Sequence, residues 1–147
     1  MKVIIGYDPN AVAHAQIAQR VCKEMNIEVA EMRGDDPIYA NTAFYAARLV
    51  ASGKTDRGIL ICGTGIGMSI AANKVNGAYA ALISDVYSAV RAEKSNRANI
   101  ACFGAFTVGE KLLEELLRTW LQTDYVEGTP SAPKIERIEA YEQGRLA

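Results

Sequence analysis

The sequence predicts an α/β fold in which a five-stranded parallel sheet is covered by helices on both faces. Three observations predict it. Short apolar runs alternate with longer segments of helical periodicity along most of the chain. The central run, Gly58-Ile59-Leu60-Ile61, is apolar without a polar alternate, as in a strand buried on both sides. The segments between strands are long enough for helical crossovers, which parallel strands require.

The elements follow in order. Residues 2–7 read as a strand through Val3, Ile4 and Ile5. Residues 10–25 read as a helix, with Ala11, Ala15, Ala18, Cys22 and Met25 on one face. A second strand is expected at 27–32, then a loop at Gly34-Asp35-Asp36-Pro37, taken as solvated, and a helix at 39–52 ending at Gly53. Residues 57–62 form the third strand and 66–75 its helix; Asn76-Gly77 is a turn. Strand 79–83, helix 86–95, strand 99–103 and helix 109–122 complete the alternation. The last helix carries Leu112, Leu113, Leu116, Leu117, Trp120 and Leu121. That face is broader than one packing stripe needs and predicts at least a dimer. Residues 127–133 are a linker by composition. Lys134–Gln143 form a closing helix whose Ile135 and Ile138 dock either on the parent domain or on another subunit.

Composition narrows the function. A chain of 147 residues with 50% apolar content buries a full core, and residues 1–147 are expected to form one domain. A net charge of -1 gives no bulk attraction to nucleic acid or to an anionic membrane. No apolar run has bilayer-spanning length, and Met1-Lys2-Val3-Ile4-Ile5-Gly6 opens into a strand without a signal-peptide layout. Cys22, Cys62 and Cys102 are odd in number and widely spaced, which fits reduced thiols in a cytoplasm. One histidine and scattered acids give no metal-ligand spacing, so no metal is expected.

The chemistry concentrates in Cys62-Gly63-Thr64-Gly65-Ile66-Gly67-Met68-Ser69. A thiol ends a strand, three glycines let the backbone turn its N–H groups inward, and a helix begins. This suits a base facing an anion, because helix N-termini favour thiolates and anionic ligands. The spacing is neither the dinucleotide fingerprint nor a P-loop. Cys22 and Cys102 read as small core residues, His14 as a structural or solvent-facing residue within a helix, and Asp8 as either a cap or a site acid. In such sheets ligands bind beyond the strand C-termini, where Asp8, Cys62, Ser84-Asp85 and the loop after Phe103 belong.

Asp8, Ser52-Gly53, the run from Asp56 through Cys62 to Val75, and Asn96-Arg97-Ala98-Asn99 together resemble ribose-5-phosphate isomerase B, a family that includes the galactose-6-phosphate isomerase subunits. The resemblance extends to about residue 128. It implies a Rossmann-like three-layer αβα sandwich with a C-terminal helical tail, assembled as a homodimer or tetramer with sites shared between subunits. It further implies cofactor-free aldose–ketose isomerisation through an enediolate. Cys62 would be the base, and Thr64 and Asp8 would move protons between oxygens. Gly63, Gly65, Ile66, Gly67 and Ser69 would offer amides, and Tyr39, Asn96 and Lys134 would contact substrate. The chain departs from the family at Pro9 and Ser95, where histidines are usual, and at Phe106, Pro130 and Lys134, where arginines are usual. Lys134, Arg97, His14 and Arg33 are the candidate replacements. Three readings remain: an isomerase with an altered substrate, the cysteine-bearing half of a complex with a paralogous subunit, and a sugar-phosphate-binding protein. Without a ring-opening acid at Ser95, the expected substrate is open-chain, with erythrose 4-phosphate/erythrulose 4-phosphate ahead of ribose 5-phosphate.

Overall fold

The computed structural model describes residues 1–146. The strands β1 (Lys2–Tyr7), β2 (Glu28–Arg33), β3 (Arg57–Cys62), β4 (Ala80–Leu82) and β5 (Ile100–Gly104) form one sheet in the order β2-β1-β3-β5-β4. Every pairing is parallel. The helices are α1 (Val12–Glu24), α2 (Tyr39–Ala51), α3 (Ile66–Ala72), α4 (Val86–Lys94), α5 (Glu110–Leu121) and α6 (Ala132–Glu142). Alternate strand residues sort to opposite faces. Val3, Ile5, Ile59, Ile61 and Phe103 pack with α1, α4 and α5, while Ile4, Leu60, Cys62 and Cys102 pack with α2 and α3. The result is the three-layer αβα sandwich of the Rossmann-like class. Among the described residues, no helix is long and apolar enough to cross a membrane.

Several boundaries differ from expectation for local reasons. The Asp8 carboxylate accepts from the Asn10 amide at 2.9 Å, and Pro9–Ala11 form a 3₁₀ turn before α1 starts at Val12. The helix after the glycine loop stops at Ala72, where Asn73 turns its side chain onto the neighbouring strand. Its Nδ2 donates to the Ala80 carbonyl and its Oδ1 accepts from the Ala80 amide, both at 2.9 Å. β4 is correspondingly only three residues long.

The apolar face of α5 is already consumed within the protomer. Leu113, Leu116, Leu117, Trp120 and Leu121 are buried, and only Leu112 is partly open. That helix therefore has no surplus surface for a second subunit, which corrects the expectation drawn from its breadth. The tail docks on its own domain: Ile135 is buried and Ile138 is exposed. The α6 carboxylates add hooks, Glu139 to Arg97 at 3.0 Å and Glu142 to the Gly77 amide at 3.0 Å and the Tyr79 hydroxyl at 2.6 Å.

Candidate active site

The sheet order has its switch between β1 and β3: from β1 the chain moves outward to β2, then returns to β3 on the other side. The crevice beyond such a switch is where open α/β sheets take ligands. Asp8 follows β1 directly and Cys62 closes β3. The Asp8 amide donates to the Ile61 carbonyl at 3.1 Å, so the acid is fixed beside the strand that carries the thiol. The residue is buried, at 8% exposure.

The loop after Cys62 is shaped around the sulfur. The Gly65 N–H donates to Cys62 Sγ at 3.2 Å. Gly65 has φ +76, and a methyl group there would lie 2.8 Å from the Phe103 carbonyl carbon, so only glycine fits. The Ile66 amide donates to Thr64 Oγ1 at 3.3 Å, and the Ser69 amide to the Gly65 carbonyl at 3.1 Å. Those three donors are therefore occupied. Among the described residues, the amides of Gly63, Thr64, Gly67 and Met68 meet no protein acceptor. Since α3 has only seven residues, these four N–H groups, more than a long helix dipole, are what the loop offers an anion. The Ser69 hydroxyl faces Cys102.

Tyr39 begins α2 and lays its phenol across Gly67; any side chain on Gly67 would overlap the ring. The Phe106 ring lies against Gly63 and is 72% exposed, forming an apolar rim. The structure thus brings together Asp8, Tyr39, Cys62 and the loop from Gly63 to Ser69. It does not bring Asn96 or Lys134 to them. Asn96 precedes β5 and Lys134 lies on α6, which is hooked to the Gly77 and Arg97 turns, so both belong to the opposite end of the sheet.

The remaining singled-out residues have structural occupations. His14 is buried, with Nε2 donating to the Val108 carbonyl at 2.7 Å. Asp85 caps α4 through the Ser88 amide at 2.7 Å, and those bonds hold its carboxyl below the usual range. Arg33 stacks on Tyr45, and Arg97 is held by Glu139 beside Tyr125. Ser95 is 6% exposed, and its hydroxyl has no partner among the described residues. Burial pushes the Cys22 thiol up to about 11 and raises the Cys102 thiol further, as befits inert core residues. Sequence reading missed Asp36, whose carboxylate takes the Ile38 amide at 2.8 Å and the Asn41 side chain at 3.1 Å to pin the entry to α2. An acid just before Pro37 and the helix was the available signal.

The family model described as Ribose/Galactose Isomerase matches residues 3–138. A D-erythrulose-4-phosphate isomerase of Pectobacterium atrosepticum is 41% identical over 97% of this chain and 95% of its own length. A ribose-5-P isomerase B of Listeria innocua is 42% identical over 97% of this chain and 98% of its own. Among solved structures, the type B ribose 5-phosphate isomerase of Trypanosoma cruzi superposes with a TM-score of 0.92 at 36% identity, covering 98% of this chain and 99% of that one.

Proposed function

We propose that this chain, which belongs to the ribose/galactose isomerase family, interconverts D-erythrulose 4-phosphate and D-erythrose 4-phosphate. The observation that carries this reading is Ser95. At the position where a pentose phosphate isomerase of this family holds its ring-opening histidine, a small hydroxyl lies buried and turned away from solvent. A tetrose 4-phosphate needs no such acid: its terminal oxygen is esterified and cannot close a five-membered ring onto the aldehyde. The relative from Pectobacterium, named for erythrulose 4-phosphate, supports the same substrate.

The chemistry follows from the geometry around Cys62. The thiolate removes the proton from C1 of the ketose, and the electron pair becomes the enediolate C1–C2 double bond. The Gly65 N–H directed at Sγ complements the charge on the free base. The open amides of Gly63, Thr64, Gly67 and Met68 stabilise the enediolate oxygens, each donor being worth about 2.7–4 kcal/mol of barrier in comparable sites. Asp8 and Thr64 carry the hydroxyl proton between O1 and O2, and the same sulfur returns its proton to C2, giving the aldose. Tyr39 closes the substrate side of the loop.

Two copies complete the site in this reading. Asn96 is remote from its own Cys62 and reaches the substrate held by the loop of a neighbouring copy. Ile66, Ile70 and Leu82, which are exposed on α3 and β4, supply apolar contact area for that assembly. The three unpaired thiols are suited to a reducing cytoplasm.

The test is kcat/KM of the purified protein on erythrulose 4-phosphate and on ribose 5-phosphate. A clear preference for the tetrose is expected. Preference for the pentose would overturn the assignment.

A further inference from the structure

A phosphate ester needs a cation; among the candidate replacements Lys134 is exposed on α6, and the others are engaged. Arg57 is bonded to backbone carbonyls and Glu93, Arg97 to Glu139, Arg33 pairs with Glu31 and stacks on Tyr45, and His14 is tied to Val108. Arg91 is not. It stands half-buried on the last turns of α4 and lines a cavity of about 390 Å³ along the β4 edge. Asn96 lines the same cavity, and its backbone amide donates to the Arg91 carbonyl at 3.2 Å, so the two residues are locally locked together. Leu82, Ile83, Ile135 and Ile138 supply apolar walls, and no acidic residue takes part in the lining. Among the described residues, neither the Arg91 guanidinium nor the Asn96 carboxamide has a hydrogen-bonding partner.

We propose that Arg91 binds the phosphate of the substrate, presented together with Asn96 to the Cys62 loop of the neighbouring copy. The inference rests on the isomerase reading above and adds the residue that selects a phosphorylated sugar. A guanidinium presents a planar fork matched to two phosphate oxygens. With no ion pair or hydrogen bond to break, the Arg91 guanidinium is free to take a dianionic ligand. The cavity volume falls within the range of small-molecule sites. Its position also accounts for a chain with Phe106 and Pro130 where its family carries arginines: the cation has moved onto α4, five residues before Asn96.

Arg91→Gln, Arg91→Lys and Arg48→Gln are compared with the parent protein, all at concentrations where light scattering gives the parent mass. Arg48 is exposed on α2 and controls for net charge. Arg91→Gln should raise KM for erythrulose 4-phosphate about 10-fold or more with a smaller change in kcat. It should weaken competitive inhibition by inorganic phosphate by a similar factor. Turnover of unphosphorylated erythrulose, however slow, should not change. Arg91→Lys should fall between, and Arg48→Gln should match the parent. Unchanged KM and unchanged phosphate inhibition in Arg91→Gln would overturn the proposal. A parent protein that ignores erythrulose 4-phosphate would remove the substrate reading instead. The thermal shift given by inorganic phosphate would then still decide the role of Arg91, through its presence in the parent and its loss in Arg91→Gln.

Discussion

The two ends of the sheet treat polar groups in opposite ways. At the start of β3, Arg57 is buried and nearly saturated. Its guanidinium donates to the carbonyls of Trp120 and Thr123, each at 2.9 Å, lies over the Trp120 ring, and stands 3.6 Å from Glu93. Burial drives the Glu93 carboxyl upward, against the pull of Arg57. At the far end of the same strand, Cys62 is followed by four backbone donors with no protein acceptor. At one end of β3 the satisfied Arg57 holds the layers together. At the other, open amides are free to meet the charge of a ligand. In the proposed function the contrast sets a residue of stability, Arg57, against residues of rate, the Cys62 loop.

That separation can be broken most severely at Cys62. Cys62→Ala should lower kcat by about 100- to 10,000-fold, the usual share of a general base, with the unfolding midpoint nearly unchanged. Cys22→Ala and Cys102→Ala should retain activity per folded molecule. In the proposed two-copy site, mixing Cys62→Ala with Asn96→Ala should restore part of the activity, since one site of each mixed dimer would be intact. Full turnover by Cys62→Ala alone would end the assignment. The reverse pattern is expected at the other end. Arg57→Gln leaves Glu93 and several carbonyls without their partner and should cost about 3–5 kcal/mol in denaturant unfolding, while kcat of the folded fraction stays near the parent value.

The smallest effect lies on the surface network that links α1 to α5. Arg20 and Arg118 hold Glu114 down to about 2 through hydrogen bonds, and Glu24 joins them through Arg118. A depressed carboxyl binds fewer protons in the folded state than in the unfolded one. Its contribution is complete above the ordinary glutamate pKa and is lost as pH falls toward 2. Glu114→Gln should therefore flatten the stability-versus-pH curve in that acid range and lower it slightly near neutrality, where its slope is unchanged. The difference should shrink at high salt. An acid limb identical in both proteins would contradict the pairing.

What could be read from the chain follows the range of the interactions involved. Strands β1, β3 and β5 were legible because Val3-Ile4-Ile5, Ile59-Leu60-Ile61 and Ile100-Ala101-Cys102-Phe103 are continuous apolar runs, and the Cys62 loop was legible because its glycines and thiol act on one another within a few residues. Asn96 entered only through family resemblance, and its place in the site belongs to the proposed function, since nothing local ties it to a thiol at the opposite end of the sheet. The α5 face was misjudged for a related reason. Its leucines declare that they will be covered, but not that α1, α4 and the sheet suffice to cover them. The cavity beside Arg91 depends on where α6 docks, through Ile135 and Glu139, and that contact spans about forty residues of sequence. Asp36 was missed because two adjacent acids before a proline look like hydration rather than a cap.

Asn73 has a consequence for how copies of this protein can meet. The outward-facing amide and carbonyl of Ala80 are both taken by one side chain, as a neighbouring strand would take them. In a strand of only three residues, little unpaired backbone is then left for an incoming chain to template on. Sheet extension across this edge, whether in ordered assembly or in fibrillar aggregation, is blocked at its first rung. Any partner must approach this edge by fitting side chains, a mode in which shape and charge choose the partner. Asn73→Ala should therefore be judged less by lost stability than by a new tendency to associate without limit.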